Sequence, residues 1–347
     1  AHHEPHRAGK TKVVGGSTVT TILIVVTTVV VVVAGGIGAA HFLSRSTSSG
    51  GGSGSTSASP PGTITEFALP NPNGYPGNIT TGPDGNLWFD ETTDSNQELI
   101  GRMTPTGTVT AFPFTTSYNG IRGLASIITG PDHNLWFLEA QASMIGRITP
   151  SGSITEFMLP NPDSHPSGMT VGPDGNLWFT EHDSLNIGRI TPSGAITEFP
   201  TPLYGNTGIT AGPDGNLWFT NGMDADIGQI TPAGNVTLFP LPSHGKGDSS
   251  GEFMSITVGP DHNLWFVDSI QIYTVGPMIG RMTITGAVTE FPVPAPYNAN
   301  SYLYALTTGL DGNLWFVSHT EDLIGRMTPT GTVKAVSYTH LTLPTIL

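Results

Sequence analysis

Two kinds of apolar pattern divide the chain. Residues 18–40 form one block of 23 uncharged, mostly apolar residues, whereas from Thr63 onward the apolar residues come in short bursts separated by Gly, Pro, Asp and Asn. Strand-length bursts bounded by such residues predict β-strands joined by tight turns. One stretch reads most clearly, with strands expected at 168–171, 177–181, 187–191 and 196–199, lettered a to d. Between a and b stands Pro173-Asp174-Gly175, and between c and d Pro192-Ser193-Gly194. Proline presets the first turn torsion, Asp or Ser bonds back to the backbone, and Gly takes the left-handed position, so both connections are tight hairpins.

The a-to-b text recurs as GPDGNLWF or a close variant from Gly82, Gly130, Gly172, Gly212, Gly259 and Gly309. All six tryptophans lie in it, spaced by 48, 42, 40, 47 and 50 residues. A strand-rich period of this length indicates propeller blades. Strand b is apolar on both faces because a blade lies between two neighbours: Leu177 and Phe179 are expected to face one, Trp178 the other. The tryptophans are therefore core residues, not ligand contacts.

Thr63 to Leu69, TITEFAL, matches strand d without an a, b or c before it. An amino-terminal outer strand of this kind completes the last blade of a closed ring. The expected fold is thus all-β: a propeller of four-stranded blades, six complete in this chain and seven in the intact protein, preceded by one transmembrane helix. The alternative is a six-bladed ring that 63–69 pads. After Ala335 the repeat grammar stops. VSYTHLTLPT, from Val336, reads as one frame of a transposon-end sequencing adapter, so 336–347 is expected to be foreign.

The apolar block is long enough, as a helix, to cross a hydrocarbon core of roughly 30 Å. Arg7, Lys10 and Lys12 precede it against Glu4, so the positive-inside bias puts 1–17 in the cytoplasm and the rest outside. Secretion after cleavage near Gly38-Ala39-Ala40 is the competing expectation. The Ser/Gly/Thr-rich segment 41–62 reads as a tether between the membrane and the propeller at 63–335. From Thr63 there are 25 acidic and 8 basic residues, which argues against nucleic-acid partners and against binding to anionic lipid surfaces. With no cysteine, the domain must hold by burial alone. Glycosylation sequons stand at Asn78 and Asn235.

GPDGNLWFTE followed by IGRITPSGxITEF resembles the repeat of the virginiamycin B lyase (streptogramin lyase) family, over about Thr63 to Ala335. The resemblance implies a seven-bladed propeller that opens the lactone of streptogramin B antibiotics by elimination, with magnesium. It implies a His, and a Glu with a second His, entering strand a of the last two blades. A base must take a proton alpha to a carbonyl while a cation steadies the enolate-like charge. Counted back from each motif glycine, the family His position falls on Gly77, Ala125, Ser167, Thr207, Met254 and Tyr304, none of them His. Tyr304 takes the sixth-blade place, and an unperturbed phenol near 10 is a poor base at neutral pH.

Candidate residues are therefore sought on the face where the d-to-a and b-to-c loops emerge. Catalytic candidates are His165, Glu181, His182 and Tyr304, the first three because they group two imidazoles with an acid. Ligand-binding candidates are Tyr75, Glu91, Glu139, Asp268, Tyr302 and His319. The residue two after each Trp-Phe pair (Glu91, Glu139, Glu181, Asn221, Asp268, Ser318) makes a near-acidic ring, read either as a cation seat or as partners for Arg102, Arg147, Arg189 and Arg281. His133 and His262 are expected in exposed a-to-b turns. The expected activity is that of a membrane-tethered extracytoplasmic ligand-binding or sensor module, with the lyase as the alternative. No cofactor is expected except magnesium if the family chemistry is retained. The expected partner is a small-molecule or surface ligand, bound by a monomer.

Overall fold

The computed structural model describes residues 22–26, 29–33, 64–69, 71, 75–93, 97–114, 124–222, 226–241, 255–268, 276–294, 303–318 and 323–336. Six four-stranded antiparallel sheets follow one another, each with its strands in chain order. They form blades 1 to 6, at 75–114, 126–158, 166–200, 206–240, 256–292 and 303–336. In blade 3 the strands are Pro166–Val171, Leu177–Glu181, Asn186–Ile190 and Ile196–Pro200, within two residues of the expected bounds.

Among the described residues the core is five apolar clusters, one in each seam between consecutive blades. In the seam of blades 2 and 3, Trp136, Leu138 and Ile145 meet Leu177, Phe179 and Ile190; in the next seam Trp178 meets Leu217 and Phe219. Side chains alternate along strand b, so each blade sends its Trp forward and its Leu and Phe back, as the sequence predicts. Trp315 is only partly buried, because no described blade stacks beyond it.

Each motif residue has a physical task at the a-to-b turn. Asp174 accepts the Trp178 indole N–H at 3.0 Å through Oδ1 and the Asn176 amide at 2.8 Å through Oδ2. Burial raises its titration, but these hydrogen bonds outweigh burial and hold it below the usual carboxylate value. His133 and His262 take the turn position filled elsewhere by Gly, with φ of 59° and 58°, and are exposed as expected. Gly188 faces Phe179 so closely that a Cβ there would lie 2.0 Å from the ring.

Ile64–Ala68 behaves as an outer strand: Phe67 packs on Gly107 of blade 1 just as Phe291 of blade 5 packs on Gly331 of blade 6. The expectation of a helix at 18–40 is corrected where the structure describes that block. Ile22–Val26 and Val29–Val33 are antiparallel strands, and the first pairs with Ile64–Ala68. Val and Ile favour extended backbone, and an outer strand without its inner neighbours leaves a row of N–H and C=O groups to pair. Among the described residues no helix is long and apolar enough to cross a membrane. The linker and the residues after Val336 lie outside the described set; Val336 itself ends the last strand of blade 6.

Candidate functional site

At the corner where the loops of blade 3 approach blade 4, two imidazoles share one carboxylate. His165 Nδ1 lies 2.8 Å from Asp183 Oδ2, an ion-pair distance without hydrogen-bond alignment, and His182 Nδ1 lies 2.5 Å from Asp183 Oδ1. The backbone fixes this. His182 N–H donates to the His165 carbonyl and Asp183 N–H to the Ser164 carbonyl, while His165 takes a φ of 46° as its N–H donates to Ser143 Oγ. The three side chains are 32%, 41% and 50% exposed. Gly205 N–H donates to the His182 carbonyl, which brings the neighbouring Tyr204, 52% exposed, to the same corner, and the exposed Leu185 follows two residues after Asp183. Beneath them the Ser164 hydroxyl and Oε1 of Glu181 are buried without a hydrogen-bond partner.

The acid that joins the imidazoles is Asp183, which the sequence reading missed, and not Glu181. Glu181 ends strand b and points into the seam, fully buried, its Oε2 accepting from Ser184 Oγ at 2.7 Å. Burial pushes it up to about 7, offset by Ser184 and helped by Glu198. Asp183 was legible only as an acid flanking a histidine in a short loop.

The remaining acids of the ring are also buried: Glu91, Glu139 and Asp268 lie between blades and not on the loop surface. Burial pushes Glu91 up to about 7 against an Asn71 hydrogen bond, and pushes Glu139 up to about 8 with the Glu156 charge adding to it. The expected pairing with the arginines is corrected as well. Arg102, Arg147, Arg189 and Arg281 stand at the opposite end of strand c, 3.6 to 3.9 Å from the turn residues Asp84, Asp132, Asp174 and Asp261. Antiparallel register decides this: Trp178 is opposite Arg189, so an acid three residues after the Trp cannot be. Gln229, in the arginine place of blade 4, likewise bonds Asp214 at 2.8 Å.

Of the other candidates, Tyr75 and Tyr304 are described only as backbone, within strands Tyr75–Thr81 and Leu303–Thr308, and Tyr302 and His319 lie outside the described residues. At the family His positions, a Cβ at Gly77 would meet the Asp90 carboxylate at 2.3 Å, and Thr207 is buried against the Thr220 hydroxyl at 2.9 Å. Ala125 and Ser167 are half-buried. Asn78 is buried, its amide donating to the Leu124 carbonyl, so that sequon is closed in the folded protein, whereas Asn235 is exposed in a c-to-d turn. No group of three or more His, Asp or Glu among the described residues is placed to hold a metal ion, so these residues do not fit a magnesium site.

The family model described as "Virginiamycin B lyase family" matches residues 119–344. Selenomethionine-substituted virginiamycin B lyase from Staphylococcus aureus is 37% identical, covering 75% of this chain and 83% of that one with a TM-score of 0.66. A catalytically inactive His-to-Ala variant of that enzyme with quinupristin is 36% identical over 77% and 85%, with a TM-score of 0.67. A streptogramin B lyase is 31% identical over 79% and 85%, again with a TM-score of 0.67. No curated protein matches the chain.

Proposed function

The chain belongs to the virginiamycin B lyase family, and from that premise we propose that it is an extracytoplasmic ligand-binding or sensor module. The carrying observation is the corner of blade 3. The exposed Tyr204 and Leu185 stand beside two imidazoles tied by Asp183. An aromatic face beside a few fixed polar groups suits a ring-containing ligand with hydrogen-bonding substituents. The described family His positions carry no imidazole, and Tyr304 takes the sixth-blade place, so binding without turnover is the reading these residues support.

The test uses quinupristin, the molecule named with the inactive staphylococcal enzyme. Calorimetry should show binding that Tyr204→Ala weakens, and mass spectrometry should show no linear product, with magnesium or with chelator. The second reading, a lactone-opening lyase, is favoured by the identity of 37% over 75% of the chain. A magnesium-dependent linear product would establish it and overturn the first.

A further inference from the structure

Four carboxyl groups line the seam between blades 1 and 2. Asp90 and Glu98 come from blade 1, Glu139 and Glu156 from blade 2; the first three are buried and Glu156 is half-buried. Asp90 Oδ1 accepts the Asn78 backbone N–H at 2.6 Å, and Glu98 accepts the Thr92 hydroxyl at 3.2 Å. Neither oxygen of Glu139 meets an N–H or hydroxyl donor, and its one side-chain partner is another acid, Glu156. The charges acting on Glu139 are those of Glu156 and Glu98, and Asp90 in turn feels Glu98. The arginines of these blades, Arg102 and Arg147, are held at the far ends of their strands by Asp84 and Asp132. A buried seam lined this way does not tolerate four negative charges, so protons must stay on some of the groups.

Other blades show that the fold does not require acids here. At the Asp90 position blades 3 and 4 carry Thr180 and Thr220, whose hydroxyls accept the equivalent strand-a amides of Gly168 and Gly208 at 2.8 and 2.9 Å. Blade 2 has Ser143 where blade 1 has Glu98, and blade 4 has Asn221 where blade 2 has Glu139. Glu139 and Glu156 have counterparts in Glu181 and Glu198 of blade 3; among the described residues it is Asp90 and Glu98 that add two further acids to this one seam.

We infer that the seam between blades 1 and 2 is a proton-operated joint, closed while Glu139 and Asp90 keep their protons and loosened when they lose them. Burial pushes Asp90 up to about 7, eased by Asn78, and Glu139 up to about 8, which sets the pH range in which to look. Once Glu139 and its acid neighbour Glu156 are both charged, neither can donate to the other, so water must enter and the ends of the two b strands must part. Those ends lie under the loop face, so the joint alters that face whether or not it binds a ring-shaped ligand.

Hydrogen exchange on the full chain at pH 6.5 and 8.5, corrected for intrinsic rates, tests the joint. Amides of Leu87–Thr92 and Leu135–Glu139 should lose about tenfold in protection at the higher pH, while those of Leu217–Asn221 hold theirs. Glu139→Gln and Asp90→Thr should each reduce that loss; the second borrows the residue of blades 3 and 4 and carries the test if the first does not fold. Equal loss in wild type and variants, an equal loss in every blade, or full protection at pH 8.5 would each overturn the inference. So would restored protection on adding calcium at pH 8.5, which would make the seam a cation site.

Discussion

Arg147 of blade 2 donates from Nη1 to the carbonyl of Pro192 in blade 3, at 2.9 Å. The same guanidinium stands 5.4 and 5.5 Å from the ring centroids of Trp136 and Phe157 and 3.9 Å from Asp132. One side chain thus joins a turn, an aromatic pair and the next blade, and Arg102, Arg189 and Arg281 repeat the arrangement with Pro150, Pro232 and Pro329. Arg147→Ala should cost about 2 kcal/mol, since stacking on a desolvated face and a charged hydrogen bond are lost together. Arg147→Gln, copying Gln229 of blade 4, should recover part of it. Urea denaturation of the two variants measures both.

Gly188→Ala should destabilise by about 1–3 kcal/mol, the usual range for overpacking a filled core. The new methyl would lie 2.0 Å from Phe179, a fully buried ring with little room to yield. A shift in the thermal midpoint no larger than that of an exposed substitution such as Ser193→Ala would contradict the packing described for the blades.

Asp183→Asn keeps the shape of the side chain but removes the charge that both imidazoles face. Quinupristin binding should weaken about tenfold, the range for a lost charge-assisted contact, with little change in stability because the site is half exposed. Calorimetry beside a melting curve separates the two effects. Unchanged affinity would place the ligand elsewhere on the propeller.

Stability should fall as pH rises from about 5 to 8. Asp90, Glu91, Glu139 and Glu181 are all pushed upward, to about 7, 7, 8 and 7, chiefly by burial. Over that window the folded chain holds protons that the unfolded chain has released, so raising pH favours unfolding. The turn aspartates act in the opposite sense only at acid pH, where their depressed values cost stability as they protonate. Urea midpoints at pH 5, 6.5 and 8 should therefore descend; a rise would mean that the buried carboxyls are charged in the fold.

The sequence alone determined the blades, because a burst of three apolar residues between Asp-bearing turns admits one local solution and the chain states it six times. It also determined which way Trp178 and Leu177 face, since strand side chains alternate. It resembled the right family through that same text. What it left open was everything that depends on which strand lies across from which. Register set Arg189 opposite Trp178 and so gave the arginine to Asp174 and not to Glu181. Alternation then turned Glu181 into the seam, while the following loop brought Asp183 between His165 and His182, residues separated by a whole hairpin. The seam of Asp90, Glu98, Glu139 and Glu156 is drawn from two blades, and its like charges are brought close only by their packing. Local turn chemistry and periodicity are written residue by residue, whereas burial of a charge and the identity of its neighbour are properties of packed blades.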